Sequence, residues 1–495
     1  MEPAPAADGG GRAAVLLYGA AAAAVIALHL ATSGNLGFHT DELYYLDCGR
    51  HPAFGYVDFP PVVPLLARLE TALLGVTPWS LRVLPSVLSG LLVVLFGAYA
   101  RRLGGSLPVQ AVALVIGIAS PYLLAANWIF QTVTFDQVTW VVALYWFLCV
   151  VVDGRRRYWI LLGVTLGAGL EVKYTIAGLV AGVAAAVLLA PELRARLRTA
   201  DPWLSAAIVL LVWAPNLAWQ VANGFPSLAY ITMHRGDIAA GGGAVSYLTV
   251  LGLELALLLP LWVAGMVSLF RRPRLRPIAV ACATPLILFL FSGKGYYAAG
   301  TIPIVMVQGL LAISRVGRRR FRIGLQAAVV VACALEFLLL LQLMLPITPP
   351  SRLHATELDT KSEVFADSVG WDDVARQVTD IYEGLPAVDR SDAVIVSRYY
   401  GVPGAVQVYG YAGRLPAVVS PQLSDWYWLP PHLTATSALM VDYRPSEVAW
   451  MCTSAELVAH LTVPYDVRGL EQGAPVTLCQ LREPLPSVWH RLREF

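Results

Sequence analysis

Apolar runs separated by short polar connections fill the first two-thirds of the chain. They fall near residues 13–32, 82–100, 108–127, 137–152, 159–172, 174–190, 203–220, 247–270, 277–291, 297–314 and 323–346. Such runs read as membrane-spanning helices, although several fall short of the ~20 residues of a standard span. The stretch 159–190 allows two readings. As one helix it would be about 48 Å long, well over a bilayer. Broken at Glu171-Val172-Lys173, it makes two short spans that meet at one surface.

Charge decides between these readings. Arginines cluster at Arg101-Arg102, Arg155-Arg156-Arg157, Arg194/Arg196/Arg198, Arg271/Arg272/Arg274/Arg276 and Arg318-Arg319-Arg320. With eleven spans and a cytoplasmic N-terminus, all five clusters lie inside, as the positive-inside rule asks. Merging 159–190 would put the later clusters outside. The eleven-span arrangement places Asp41, Glu42, Asp47, Asp58, Asp136, Lys173, His234, Asp237 and Lys294 on the outer face, with everything after residue 349. The first run carries only Arg12 ahead of it and shows no clear cleavage site before Asn35, so a retained helix is expected rather than a signal peptide.

The chain has 495 residues, 57% hydrophobic and only 14% charged. A soluble domain carries roughly a quarter charged residues. The deficit lies within 13–346, while 350–495 has ordinary soluble composition. The expected organisation is a disordered 1–12, a transmembrane domain over 13–349 and a water-facing domain over 350–495. In the last, Ala393–Val396 and Ala438–Val441 read as strands, and Trp371–Tyr382 and Ser454–Leu461 as helices. That pattern predicts a small α/β domain with a central sheet. Cys452 and Cys479 would lie in an oxidising compartment and are expected to pair. Cys149, Cys282 and Cys333 fall in spans as small apolar residues, which leaves Cys48 free. The arginine clusters account for the positive charge without a nucleic-acid partner. No zinc-ligand spacing and no Walker or Rossmann glycine motif is present.

The first connection, residues 38–64, reads FHTDELYYLDCGRHPAFGYVDFPPVVP. It holds four acids, Asp41, Glu42, Asp47 and Asp58, among Phe38, Tyr44, Tyr45, Phe54, Tyr56 and Phe59. Acids are expensive near lipid and are rarely kept there without a task. The chain has three lysines, and two of them, Lys173 and Lys294, stand at outer helix ends. A lysine is a compact point charge suited to a phosphate oxygen; the plainer reading is snorkelling. Together these groups suggest transfer chemistry. A carboxylate takes a proton from an acceptor hydroxyl, a lysine stabilises a leaving phosphate, and aromatic faces suit sugar rings and prenyl chains. No nucleotide sugar is expected outside the membrane, so the activated sugar would arrive on a lipid phosphate.

Each residue also has a plainer reading. Asp41 could cap a helix, because His39-Thr40-Asp41-Glu42 reads as a helix start. Asp58 could be a turn residue before Pro60-Pro61. Asp136 could complement the dipole at the start of the fourth span. His234, Arg235 and Asp237 precede Gly241-Gly242-Gly243, a mobile lid or a solvated loop. Glu254 is an intramembrane carboxylate, and Glu336 and His29 read as packing groups. Tyr399-Tyr400-Gly401 follows a strand as a crevice lining or an aromatic turn, and Asp425-Trp426-Tyr427-Trp428 could contact glycan.

The first loop resembles the first outer loop of the GT-C glycosyltransferases. More narrowly, it resembles bacterial members of the protein O-mannosyltransferase and aminoarabinose (lipid A) transferase group. There an Asp-Glu pair is followed by a Gly-Tyr-x-Asp-His-Pro-Pro-Leu segment. Here these are Asp41-Glu42 and Gly55-Tyr56-Val57-Asp58-Phe59-Pro60-Pro61-Val62, with Phe59 in place of the His. Further matches follow in order: Asp136, Lys173-Tyr174-Thr175, Lys294-Gly295-Tyr296-Tyr297, Gly370-Trp371-Asp372 and Arg398-Tyr399-Tyr400-Gly401.

The resemblance implies a polytopic α-helical GT-C membrane protein of the bacterial plasma membrane with an extracytoplasmic α/β domain. It implies an inverting transferase using a polyprenyl-phosphate sugar and a cell-envelope glycan, lipid or protein acceptor. Asp41 would be the general base, and Glu42 would orient it or bind the acceptor. Asp58, Asp136, Tyr45, Tyr56 and His234 would contact acceptor or donor. Lys173, Lys294, Tyr296 and Tyr297 would hold the phosphate. No cofactor is required by this scheme, although paired carboxylates can hold a divalent metal ion. The competing classes are a transporter or flippase of a lipid-linked sugar and a glycan-binding membrane receptor.

Overall fold

The computed structural model describes residues 9–233 and 243–494. The chain divides into two compact units. The helical unit takes Met1–Thr32, Arg82–Ala222 and His234–Leu345. The second takes Ser33–Leu81, Asn223–Met233 and Pro346–Phe495. The acidic first connection therefore groups with the C-terminal part of the chain. The expected disorder of 1–12 falls largely on residues outside those described, while Gly9–Arg12 already belong to the first helix, Gly9–Thr32. The 234–242 segment, with His234, Arg235 and Asp237, also lies outside them.

Among the described residues, seven helices are long and apolar enough to cross a membrane. An eighth span results if Leu107–Ala119 and Pro121–Asn127, bent by 51° at Ser120, count as one. Pro121 lacks an amide hydrogen and cannot continue the helical ladder, which accounts for the bend. The other apolar runs are helical but short. Arg156–Leu170, Ala177–Leu189 and Arg276–Leu288 have 15, 13 and 13 residues. The chain does break after Leu170. The Lys173 amide bonds to the Gly169 carbonyl, and a single 3-10 turn, Tyr174–Ile176, leads into the next helix.

Close packing in the helical unit relies on missing side chains. A Cβ on Gly163 would lie 2.7 Å from the Ser205 carbonyl oxygen, and one on Gly167 would lie 2.8 Å from Val212. Arg156–Leu170 therefore packs closely against Ala200–Ala222. Gly265 faces the Val305 carbonyl and Gly309 the Leu261 carbonyl, again with no room for a Cβ. Between helices in lipid, this small-residue contact replaces the hydrophobic drive available in water. The core beneath is aromatic and aliphatic, with Phe96, Tyr99, Trp140, Phe147 and Leu310 at 1% exposure or less.

The second unit carries a five-stranded sheet in the order β2-β1-β3-β5-β4. Its strands are β1 (Ala393–Ser397), β2 (Val418–Val419), β3 (Ser437–Val441), β4 (Cys452–His460) and β5 (Pro475–Leu481). β1 runs parallel to β2 and β3, while β5 is antiparallel to β3 and β4. β1 and β3 are buried along their whole length, as continuous apolar strands should be. Trp371–Gly384 is helical as expected. Ser454–Leu461 is not: it lies within and just after β4. Ala-Glu-Leu favours helix locally, but the segment pairs with β5 and is tied to it by the Cys452–Cys479 disulfide, so tertiary context overrides propensity.

Two outcomes check this packing. Replacing Cys452 and Cys479 with Ser should destabilise the second unit by about 3.5 kcal/mol, the chain-entropy value for the 27-residue separation. Thermal unfolding should show a lower midpoint that reductant reproduces in the parent protein. Gly309→Leu should cost about 1–3 kcal/mol or more by overpacking, read as a lower detergent melting temperature with the disulfide intact.

Candidate functional site

In the second unit the site begins with a helix start. His39 caps Thr40–Arg50: its ring Nδ1 accepts from the Asp41 amide at 3.1 Å, and Glu42 accepts from the His39 amide at 2.9 Å. This capping box assigns the two adjacent acids different tasks. Glu42 is fully buried and holds the turn. Asp41 is half-buried in the first turn, where negative charge complements the helix dipole.

The Tyr400 hydroxyl donates to Asp41 Oδ1 at 2.7 Å. Burial and the Asp41 carboxylate push the Tyr400 phenol well above its usual range, so it stays protonated and acts as a donor. Tyr400 is itself held. Its amide donates to Gln422 Oε1 at 3.2 Å, and its ring stacks on Tyr44 at 4.3 Å. Next to it, Arg398 pairs with Asp442, Glu447 and Glu494 and lies over the Tyr443 ring.

Tyr44 extends the network. Its hydroxyl donates to Asp58 Oδ1 at 3.1 Å and accepts from the Ser424 amide at 3.0 Å; Ser424 Oγ accepts from the Val57 amide at 2.9 Å. Asp41 and Asp58, the two half-buried acids of the loop, thus flank one stacked tyrosine pair. Tyr45 packs edge-on against Phe59, which occupies the position of the family's His and acts as core. Tyr56 donates its hydroxyl to the carbonyls of Cys48 and His51 and works as scaffold. Cys48 is free and buried, its thiol pushed up by burial.

The helical unit holds a separate cluster. Asp136 Oδ1 accepts from Trp140 Nε1 at 3.1 Å, and Oδ2 accepts from Thr175 Oγ1 at 2.7 Å. Both oxygens are occupied and the residue is buried, so Asp136 fixes the turn that carries Lys173. The Lys173 ammonium lies over Tyr296 and Tyr297, 5.4 and 5.6 Å from the ring centroids. Beside it, the Tyr174 hydroxyl donates to Asn216 Oδ1 and accepts from Gln220 Nε2. Lys173, Tyr296, Tyr297 and Asp136 are thus brought together. Lys294 is exposed, and its side chain makes no ion pair among the described residues. His234 lies outside those residues.

Tyr400 is the functional candidate that the loop alone cannot reveal. Its sequence signals are an aromatic pair directly after a buried strand and the Arg398-Tyr399-Tyr400-Gly401 match, neither of which points to Asp41. The contacts of Thr175 and Trp140 with Asp136 are likewise visible only in the structure. Among the described residues, no group of three or more His, Cys, Asp or Glu side chains is arranged to hold a metal ion.

Residues 58–219 match the family described as dolichyl-phosphate-mannose-protein mannosyltransferase, a stretch that takes in Asp58, Asp136 and Lys173. No curated protein sequence matches the chain. Among solved structures, the chain is similar to ArnT from Cupriavidus metallidurans bound to undecaprenyl phosphate. The identity is 16% and the TM-score 0.59, covering 94% of this chain and 98% of that one. It is also similar to the oligosaccharyltransferase of Archaeoglobus fulgidus, at 14% identity and a TM-score of 0.51 over 80% of this chain and 64% of that one. A third is the arabinofuranosyltransferase AftD from Mycobacteria, at 16% identity and a TM-score of 0.52 over 94% of this chain and 42% of that one. At these identities the likeness is one of fold: the chain shares the fold of these transferases.

Proposed function

We propose that this multi-pass membrane protein transfers a sugar from a polyprenyl-phosphate carrier to a hydroxyl on an extracytoplasmic acceptor, with inversion at the anomeric carbon. The observation that carries the reading is the division of labour at the first helix of the loop. Glu42 and His39 hold the turn, while Asp41 keeps a half-buried carboxylate oriented by Tyr400. A carboxylate held on one oxygen and open on the other is suited to general-base work. The ArnT structure bound to undecaprenyl phosphate and an archaeal oligosaccharyltransferase in complex with a dolichol-phosphate support the choice of carrier.

In the proposed reaction the acceptor oxygen attacks the anomeric carbon and loses its proton to Asp41. The carbon–oxygen bond to the lipid phosphate breaks, and the phosphate leaves with the bonding electron pair. Phosphate is a good leaving group, so no general acid is needed. Lys173 offers its charge to that phosphate, with Tyr296 and Tyr297 fixing the ammonium. Asp58 and Tyr45 are assigned to the acceptor side. The cluster of outer-face acids and the positive-inside pattern favour the extracytoplasmic face.

Purified protein given a panel of radiolabelled polyprenyl-phosphate sugars should release polyprenyl phosphate when cell-envelope acceptor is added. Asp41→Asn should lower that release about 10²–10⁴-fold, the range for a lost general base, without changing the melting temperature. Activity at the parent level would remove Asp41 from the base role. Tyr400→Phe deletes one orienting hydrogen bond of about 1 kcal/mol and should lose roughly five- to tenfold in kcat. Lys173→Gln should lower kcat/KM by about 100-fold, the scale of one lost charge-stabilising donor. Lys294→Gln, exposed and screened, should change it far less. If Lys173→Gln behaves like Lys294→Gln, Lys173 is a snorkelling residue.

A further inference from the structure

We propose that a small pocket in the second unit, bordered by Asp47, Asp425, His51 and Trp428, binds a single sugar ring of a neutral glycan. The proposal deepens the transferase reading and rests on it in one respect: the bound ring would belong to the acceptor.

The pocket has a volume of about 230 Å³. Sites for drug-sized ligands run from roughly 300 to 1,000 Å³, so this one suits a single ring. Its most telling wall is Asp425. The residue is 3% exposed, and among the described residues neither carboxylate oxygen has a hydrogen-bond partner. A buried polar group without a partner costs on the order of 1–3 kcal/mol. Such groups are normally satisfied, so an orphaned carboxylate on a residue that borders a cavity points to a ligand that donates to it. Asp47, also buried, borders the same cavity, with Arg50 3.7 Å away on its other side.

The chemistry of the pair favours hydroxyl groups. Burial, and then repulsion from Asp47 and Asp58, pushes the Asp425 carboxyl well above the usual range; burial also raises Asp47. The raised Asp425 carboxyl favours its protonated form, which presents a donor as well as an acceptor. A sugar hydroxyl both donates and accepts, so it matches either state. A metal ion would need both carboxylates ionised and further ligands, and no such group of three is found among the described residues. The aromatic wall fits as well. His51 and Trp428 stack at 4.1 Å and 15°, and the edge of that pair gives a sugar an apolar surface for its C–H face. Gln407 adds an exposed amide at the rim.

Position links the pocket to the acceptor. Asp47 follows Asp41 by six residues on the Thr40–Arg50 helix, about 9 Å along its axis at 1.5 Å per residue. A ring held at Asp47 and Asp425 would therefore flank, not occupy, the place of the reacting hydroxyl.

The test uses full-length protein in detergent, without donor. Saturation-transfer difference NMR would be recorded with methyl glycosides of mannose, galactose, glucose and arabinose, and calcium chloride would be titrated alone. At least one glycoside should bind saturably. Asp425→Asn, which keeps the side-chain shape, and Trp428→Ala should each weaken binding at least tenfold. Glu456→Gln, exposed and outside the pocket lining, should bind like the parent. The proposal is overturned if no glycoside binds, if both pocket variants bind as tightly as the parent, or if calcium alone titrates the site through Asp425. Glycoside binding that depends on Asp425, in a protein that releases no polyprenyl phosphate from any donor, would keep the pocket and sink the transferase reading.

Discussion

The second unit depends on one contact: the seating of the Gly401–Val408 helix against the Thr40–Arg50 helix. A Cβ on Gly404 would lie 2.8 Å from the Leu43 side chain, and one on Gly401 would run into Trp371 and Thr40. Only glycine lets the two backbones approach so closely. That approach brings Tyr400, the residue just before the helix, to Asp41 and lays its ring on Tyr44. Without it, Asp41 would be an ordinary acid in a first helical turn. With it, a residue from a membrane-flanking loop and one from a soluble-type domain act as one unit, although 359 positions separate them.

The membrane character and the order of the apolar runs were legible because a bilayer imposes a one-dimensional constraint that composition records directly. The break at Glu171–Lys173 was legible for a similar reason, since an unbroken helix there would have been too long. The pairing of Cys452 with Cys479 followed from their shared place in the C-terminal, water-facing domain. The helix expected over Ser454–Leu461 failed because local propensity says nothing of a partner strand; β4 owes its form to β5 and to a covalent tie.

At the site, the loop itself announced its acids, but not how they divide their tasks. The sequence reads His39-Thr40-Asp41-Glu42 as a cap or as a catalytic pair. The cap falls to His39 and Glu42, which leaves the Asp41 carboxylate outside it, free for the role proposed above. At Asp136, Trp140 and Thr175 each donate to one carboxylate oxygen, contacts that its position alone does not show. Hydrogen-bond partners from distant positions are what a single-residue pattern leaves out.

The short helices on either side of the Glu171–Lys173 break have a consequence for the surrounding lipid. Helices of 15 and 13 residues reach about 20–23 Å at 1.5 Å per residue, against a hydrocarbon core of about 30 Å. A bilayer meeting them must thin, or the break must sink below the headgroups, at a cost of fractions of a kcal/mol per ångström of mismatch. Either way the turn that presents Lys173 lies lower than a full-length span would place it. Acyl-chain length would then set how deep in the membrane surface the Lys173 ammonium sits.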